Sequence, residues 1–132
     1  MPAAATPATL VVIDADDAMR ALVHEWTAGA GYRVRERARP GMHGESNVNL
    51  VVVDLCDLPA RGALTVERVR GLFPGAAVVG LSTQAARPLG GAALRAIAPG
   101  LAALLPKPCT RAELLAVIAA ALPRPLPGSA AA

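Results

Sequence analysis

Aromatic residues are almost absent from this chain of 132 residues, which contains only one Trp, one Tyr and one Phe. The 54% of residues that are apolar must therefore form a core that is largely aliphatic. A core of small aliphatic side chains favours helices packed against a sheet. The scarcity of aromatic residues also weighs against binding of single-stranded nucleic acid, because that role relies on aromatic side chains that stack on bases.

Lysine, cysteine and concentrated charge are also scarce. The net charge is only +3, and the arginines are scattered, so direct nucleic-acid binding is not expected. The two cysteines, Cys56 and Cys109, lack the spacing of a metal knuckle or a redox dithiol, which favours a reduced cytoplasmic setting. No signal peptide and no membrane-spanning run is apparent, so we expect a soluble cytoplasmic protein without a membrane partner.

Short apolar runs alternate with helical patterns over residues 9–122, which we interpret as one domain. The runs predict strands at residues 9–13, 32–37, 50–53, 76–81 and 101–105. Helices are predicted at residues 18–28, 63–73 and 89–97, and a last one follows the capping-box pair Thr110 and Glu113. Strands that are apolar on both faces predict a parallel sheet, and such sheets carry their sites at the carboxyl ends of the strands.

Three other segments lack the pattern of a regular element. Pro40, Gly41 and Gly44 predict that the helix between the second and third strands is shortened. Residues 1–8 are expected to be a disordered N-terminal tail. Residues 123–132 are rich in Pro and Ala and are expected to be either a free tail or a severed linker.

All five aspartates lie in two places, residues 14–17 and 54–57, and both places follow a predicted buried strand. Carboxylates that converge at the edge of a parallel sheet suit Mg²⁺, which combines a few carboxylates with water and phosphate oxygens. Lys107, the only lysine, ends the last predicted strand, and Ser82 ends the strand before it. An ammonium on a flexible stem suits contact with one carboxylate or phosphoryl oxygen.

These residues carry a resemblance that covers about residues 10–122. Four motifs resemble, in order and spacing, the site motifs of response-regulator receiver domains: Val12-Ile13-Asp14, Val52-Val53-Asp54, Gly80-Leu81-Ser82 and Pro106-Lys107-Pro108. The resemblance implies a flavodoxin-like (CheY-like) α/β fold. In that fold a doubly wound, five-stranded parallel sheet has the strand order 2-1-3-4-5 and helices on both faces.

The resemblance also implies roles for individual residues. Asp54 would accept a phosphoryl group from a sensor histidine kinase or a phosphotransfer protein, with Ser82 and Lys107 in contact with the phosphoryl oxygens. The Lys107–Pro108 bond would be cis. Mg²⁺ would be bound by Asp14, Asp54 and the backbone carbonyl of Cys56.

The sequence departs from the receiver pattern beside Asp14. Ala15 stands where the family usually has a second acidic residue, so Asp16 is predicted to reach in as a metal ligand from the next position. Weak binding of Mg²⁺ is the expected consequence if Asp16 does not do so.

The leading interpretation is a two-component signalling switch that acts on a downstream protein partner or effector domain. It would not be an enzyme, beyond catalysing its own phosphorylation. Ala15 motivates an alternative, a pseudo-receiver that binds proteins without phosphorylation. A third interpretation is a phosphatase similar to haloacid dehalogenases, because Asp14-Ala15-Asp16 and Ser82 are similar to motifs of that family. The absence of a cap domain and of an acidic pair after the last strand argues against it.

Overall fold

A computed structural model describes residues 7–56, 58–85, 94–96 and 98–122, without the side chains of residues 58–60. The elements in chain order are β1 Thr9–Ile13, α1 Asp17–Gly29, β2 Arg33–Arg37, β3 Leu50–Asp54, α2 Leu58–Leu72, β4 Ala77–Ser82, β5 Ala103–Pro106 and α3 Arg111–Ala121. Residues 94–96, within the predicted helix at 89–97, are also helical. The rest of that prediction lies outside the described residues, as do Asp57 and most of both predicted tails.

The five strands form one parallel sheet in the order β2-β1-β3-β4-β5, which confirms the fold class predicted from the sequence. The register aligns the ends of neighbouring strands: Ile13 pairs with Val53 on one side and with Arg37 on the other. Ser82 pairs with Pro106 at the same edge. Residues that follow the strands are therefore brought to one edge of the sheet, which we call the carboxyl edge.

Two aliphatic cores cover the two faces of the sheet, because neighbouring residues of a strand point to opposite faces. On one face, Val11 and Ile13 pack with Val66, Val69 and Phe73, which lie on or directly after α2. On the other face, strand residues such as Leu10 and Val12 pack with Val23 of α1 and with Leu114 and Ile118 of α3. Phe73, the largest fully buried side chain, is the only aromatic residue at the centre of either core of the described residues.

The starts of α1 and α3 follow the capping signals in the sequence. Asp16 caps α1 by accepting a hydrogen bond from the Met19 amide, and Thr110 and Glu113 form the predicted reciprocal capping box. No helix in the described part of the chain is long and apolar enough to cross a membrane.

Helix α2 differs from the prediction because it begins at Leu58, five residues earlier than expected. Pro59 and Gly62 are residue types that favour a turn, but proline is also well suited to the first turn of a helix, where no intrahelical partner for its nitrogen is needed. Leu64 of this helix is mostly exposed although its side chain is large and apolar. The buried side is formed by Val66 and Val69.

Residues 38–49 connect β2 to β3 without a helix, so the predicted shortening of this segment extends to its complete loss. Arg37 organises the loop: its guanidinium donates to the carbonyls of Pro40 and His43, pairs with Glu45 and lies 4.9 Å from the centre of the Phe73 ring. We call residues 38–49 the β2–β3 loop. Its irregular backbone is therefore held by side chains and by contacts with α2, with Arg37 making the most of these bonds, rather than by helical hydrogen bonds.

Candidate functional site

The carboxyl edge brings together the side chains of Asp14, Asp54 and Lys107. Asp54 is the last residue of β3, and Asp14 directly follows β1, where its amide continues the sheet by donating to the Arg37 carbonyl at 3.1 Å. Lys107 directly follows β5, and its amide donates to the Ser82 carbonyl at 2.9 Å. Hydrogen bonds of the sheet thus fix the backbone on which each functional side chain is carried.

Lys107 joins the two carboxylates. Its Nζ donates to Asp14 Oδ2 at 2.8 Å and to Asp54 Oδ1 at 2.9 Å. The three side chains are only 12%, 4% and 17% exposed, respectively, so this is a largely buried ion triad. Burial by itself lowers the pKa of the Lys107 ammonium, but the hydrogen bonds to Asp14 and Asp54 outweigh it, and the pKa lies above its ordinary value. Lys107 is therefore held in the charged form.

Asp14 is fixed by its neighbours on the chain as well as by Lys107. Its Oδ1 accepts from the Asp16 amide at 2.9 Å, and its backbone carbonyl accepts from Arg20 Nη1 at 2.8 Å. Arg20 also pairs with Glu36 of β2 and with Asp17. The sequence reasoning missed this role of Arg20, although its position one turn into a helix that follows the Asp14 strand was a usable signal.

The other predicted metal ligands lie near the triad in different ways. Cys56 is exposed and lines a cavity of about 200 Å³ that Asp14, Ala15 and Asp54 also line. Asp16 is exposed, and its Oδ1 accepts from the Met19 amide, so the structure uses this carboxylate as the cap of α1 and does not join it to the triad. Its role as a metal ligand stays a prediction.

The donor set can be tested against the needs of Mg²⁺. Within the described residues no group of three or more His, Cys, Asp and Glu side chains forms a metal-binding cluster. Asp14 and Asp54 nevertheless provide two carboxylates at one cavity. Mg²⁺ is usually bound by one or two carboxylates, with waters and phosphate oxygens as its other ligands. The residues therefore fit a magnesium ion that depends on water and phosphate for most of its coordination.

The side chain of Ser82 lies at the same edge but has no hydrogen bond to the three side chains of the triad. Its side chain is fully buried, and its Oγ accepts from the Gln84 amide at 3.0 Å. A hydroxyl that accepts one hydrogen bond still has its own proton to donate. Ser82 therefore retains a donor beside the strand end that carries Asp54, since β3 and β4 are adjacent.

A second residue missed by the sequence reasoning is Arg39, which lines the same cavity as Asp14 and Asp54. It follows the end of β2, the strand next to β1, so its place at the carboxyl edge follows from the strand order. Unlike Lys107, it forms no hydrogen bond or ion pair with other residues in the described ranges. Among the described residues, the site thus has a paired cation, Lys107, on one side and an unpaired cation, Arg39, on the other.

Comparison with solved structures identifies the architecture. A CheY-like response-regulator receiver domain protein from Methanospirillum hungatei JF-1 superimposes with a TM-score of 0.69 at 22% identity, over 87% of this chain and 93% of its own. A putative pilus assembly protein (cpaE) from Burkholderia thailandensis E264 gives a TM-score of 0.69 at 20% identity, over 86% and 97% of the two chains.

A third similar structure is a response regulator from Burkholderia pseudomallei with a phosphorylated aspartic acid, a calcium ion and citrate. It gives a TM-score of 0.62 at 22% identity, over 88% of this chain and 66% of its own. No family model and no curated protein matches the sequence. The chain has the CheY-like receiver fold, and the structural matches agree with the resemblance carried by its four motifs.

Proposed function

We propose that this protein is a receiver switch of two-component signalling that accepts a phosphoryl group on Asp54. The observation that carries the proposal is the ion triad: Lys107 Nζ lies within 2.9 Å of both Asp14 and Asp54 at the carboxyl edge of a receiver fold. A structure of the same fold from B. pseudomallei contains a phosphorylated aspartic acid, which is the same chemistry in a similar protein.

Mg²⁺ is the proposed cofactor, held by Asp14, Asp54 and the carbonyl of Cys56, with Asp16 as a further candidate. It would neutralise charge on the transferring phosphoryl group, because phosphoryl transfer depends mainly on positioning and electrostatic stabilisation. We expect its affinity to be weak, since the side chain of Ala15 provides no oxygen ligand and the carboxylate of Asp16 is engaged at the start of α1.

The roles of the chain's own residues follow from their positions. A carboxylate oxygen of Asp54 attacks the phosphorus of a phosphohistidine on the donor protein, forming an O–P bond while the N–P bond breaks and the imidazole keeps the electron pair. Lys107 orients Asp54 before transfer and, as a fixed positive charge, stabilises the phosphoryl oxygens afterwards. Ser82 donates its hydroxyl proton to one of these oxygens.

Signalling follows from the competition for Lys107. In the described state its ammonium is shared between Asp14 and Asp54. Phosphorylation replaces the single negative charge of the Asp54 carboxylate with the nearly two negative charges of an acyl phosphate and moves them outward onto the phosphoryl oxygens. We therefore expect the contacts of Lys107 and Ser82 to rearrange at the ends of β4 and β5. The cytoplasmic partners would be a sensor histidine kinase or phosphotransfer protein and a downstream protein or effector domain that reads this rearrangement.

The direct test is intact-protein mass spectrometry after incubation with acetyl phosphate and Mg²⁺. We expect the wild type to gain the mass of one phosphoryl group and Asp54→Asn to gain none. Asp17→Asn is a matched control, because its carboxylate is 88% exposed and lies outside the triad, and it should be labelled like the wild type. A wild type that gains no mass, or an Asp54→Asn variant that gains as much, would reject the proposal.

The phosphoryl donor and the metal ion can be tested in the same assay. A phosphorylated histidine kinase domain, substituted for acetyl phosphate, should label Asp54 in the wild type. Omission of Mg²⁺ and addition of EDTA should slow labelling strongly if the ion neutralises the phosphoryl group. Labelling that is equally fast in EDTA would exclude Mg²⁺ from the reaction.

A further inference from the structure

The β2–β3 loop leaves a groove beside the phosphorylation site. Because no helix forms in this segment, a cavity of about 480 Å³ opens between the loop and α2. It is lined by Arg39, Pro40, Gly41, Met42, Thr65 and Arg68. Arg39, Pro40 and Thr65 also line the cavity that contains Asp14 and Asp54, so the two spaces adjoin. We call the larger space the loop groove.

Two guanidinium groups give the loop groove its charge. Arg68 is anchored, since one of its nitrogens, Nη2, donates to the Gly41 carbonyl at 2.8 Å across the groove. Arg39 is exposed and has no partner in the part of the chain that the structure describes. Arginine presents five donors in a planar fork, so each of these side chains has donors in excess of its present bonds.

The rest of the lining suits a small organic phosphate. Thr65 lies one turn before Arg68 on the same side of α2 and adds a hydroxyl donor. Met42, which is 85% exposed, and Pro40 provide apolar surface next to the arginines. The volume falls in the range of small-molecule sites, and two cations complement a dianion better than a single carboxylate.

We propose that the loop groove binds a phosphate-bearing small molecule through Arg39 and Arg68, with Thr65 as an additional donor. This site goes beyond the phosphorylation of Asp54 and does not require it. Two kinds of ligand carry such a phosphate group. One is a small phosphoryl donor that reaches Asp54 through the groove, and the other is a nucleotide that stays in the groove as an effector.

Binding is tested by isothermal titration with inorganic pyrophosphate in EDTA, so that a metal ion cannot carry the ligand. We expect saturable binding with a Kd of about 1 mM or tighter. Arg39→Gln and Arg68→Gln should each weaken it by about tenfold, the loss typical of one charge-assisted hydrogen bond. Because Arg68 also holds Gly41, the urea midpoint of each variant is measured to show that it remains folded.

Arg33→Gln is the matched control. It removes the same charge from an exposed residue at the opposite end of β2 and should change the Kd by less than about twofold, because distant exposed charges are screened. Absence of saturable binding up to about 10 mM pyrophosphate would overturn the proposal. An equal loss in Arg33→Gln would also overturn it, since the effect would then be net charge alone.

The two kinds of ligand are separated by two further arms. If the groove serves a donor, Arg68→Gln raises the acetyl phosphate concentration needed for half-maximal labelling of Asp54, and pyrophosphate competes with labelling at a constant concentration of free Mg²⁺. Arg68 is used here because it lines the loop groove and not the cavity of Asp14 and Asp54. If the groove serves a nucleotide, ADP binds more tightly than pyrophosphate and the acetyl phosphate concentration needed for half-maximal labelling is unchanged. Asp54→Asn should still bind pyrophosphate, so a failure of Asp54 phosphorylation and a failure of the loop groove are distinguishable.

Discussion

The two cations beside Asp14 and Asp54 are placed in opposite ways. Lys107 comes from a buried strand end, is 12% exposed and is bonded to both carboxylates. Arg39 comes from an irregular loop, is exposed and is unpaired within the described residues. Lys107 therefore contributes to the energy of the resting fold, whereas Arg39 is available to a ligand that brings negative charge.

The difference follows from what supports each cation. The backbone of Lys107 is bonded to β4 and thus to the centre of the sheet, while Arg39 follows the edge strand β2. A buried charge without a partner is costly, so Lys107 must be paired, but an exposed arginine remains hydrated and carries no such penalty. Replacement of Lys107 should therefore lower the stability of the protein, whereas replacement of Arg39 should weaken ligand binding.

The largest effect on stability is expected for Lys107→Met. Removal of the ammonium leaves two nearby carboxylates that are largely buried and uncompensated, which should lower the free energy of unfolding by about 3 kcal/mol at neutral pH. Arg39→Gln, the corresponding change in the β2–β3 loop, should alter the free energy of unfolding by less than about 0.5 kcal/mol. Urea denaturation in EDTA measures both. Equal losses in the two variants would contradict the contrast between the paired and the unpaired cation.

An intermediate effect on stability is expected for Arg37→Ala, which tests whether Arg37 holds the β2–β3 loop in place. Arg37 bonds two loop carbonyls and Glu45 and lies over Phe73, so its loss should lower the free energy of unfolding by about 2 kcal/mol. Arg35→Ala, next to it on β2, removes an exposed arginine that pairs with Glu45 and should cost less than about 1 kcal/mol. Urea midpoints that are equal for the two variants would show that the loop does not depend on Arg37.

The smallest effect concerns the loss of stability at acid pH, to which Glu36 of β2 contributes. The hydrogen bond with His24, assisted by one from Arg20, holds the pKa of Glu36 below its ordinary value. A carboxyl with a lowered folded-state pKa contributes stability above its unfolded pKa, near 4.5, and loses this contribution as the pH falls through the folded pKa. Glu36→Gln should therefore flatten the dependence of the urea midpoint on pH below about 5. If the urea midpoint of Glu36→Gln depends on acid pH as that of the wild type does, Glu36 does not contribute to the loss of stability at acid pH.

The sheet and the triad were predictable because both depend on one local pattern. An apolar run that ends in Asp54, Ser82 or Lys107 indicates a buried strand with a polar terminus, and a parallel sheet brings such termini to one edge. The capping residues of α1 and α3 were predictable for a similar reason, since each cap is satisfied within one turn of its own helix. Short-range rules were sufficient in these cases.

Other features depend on contacts that a local pattern does not contain. The early start of α2 was missed because Pro59 is equally compatible with a turn and with a first helical turn. Asp16 was predicted as a metal ligand, and in the structure its carboxylate accepts from the Met19 amide as the cap of α1. The loop groove was missed because it lies between two segments that are distant in sequence, the β2–β3 loop and one side of α2. No local pattern in either segment shows that a cavity forms between them.

Gly44, in the middle of the β2–β3 loop, lies against the end of α2. A Cβ at this position would lie 2.3 Å from the Leu72 carbonyl oxygen, the same oxygen that accepts from the Glu45 amide at 3.0 Å. Any larger residue would push the loop away from the helix while the strand ends stayed in place. Substitution at residue 44 would therefore shift the loop that lines the groove while the strand ends that carry Asp14, Asp54 and Lys107 keep their arrangement.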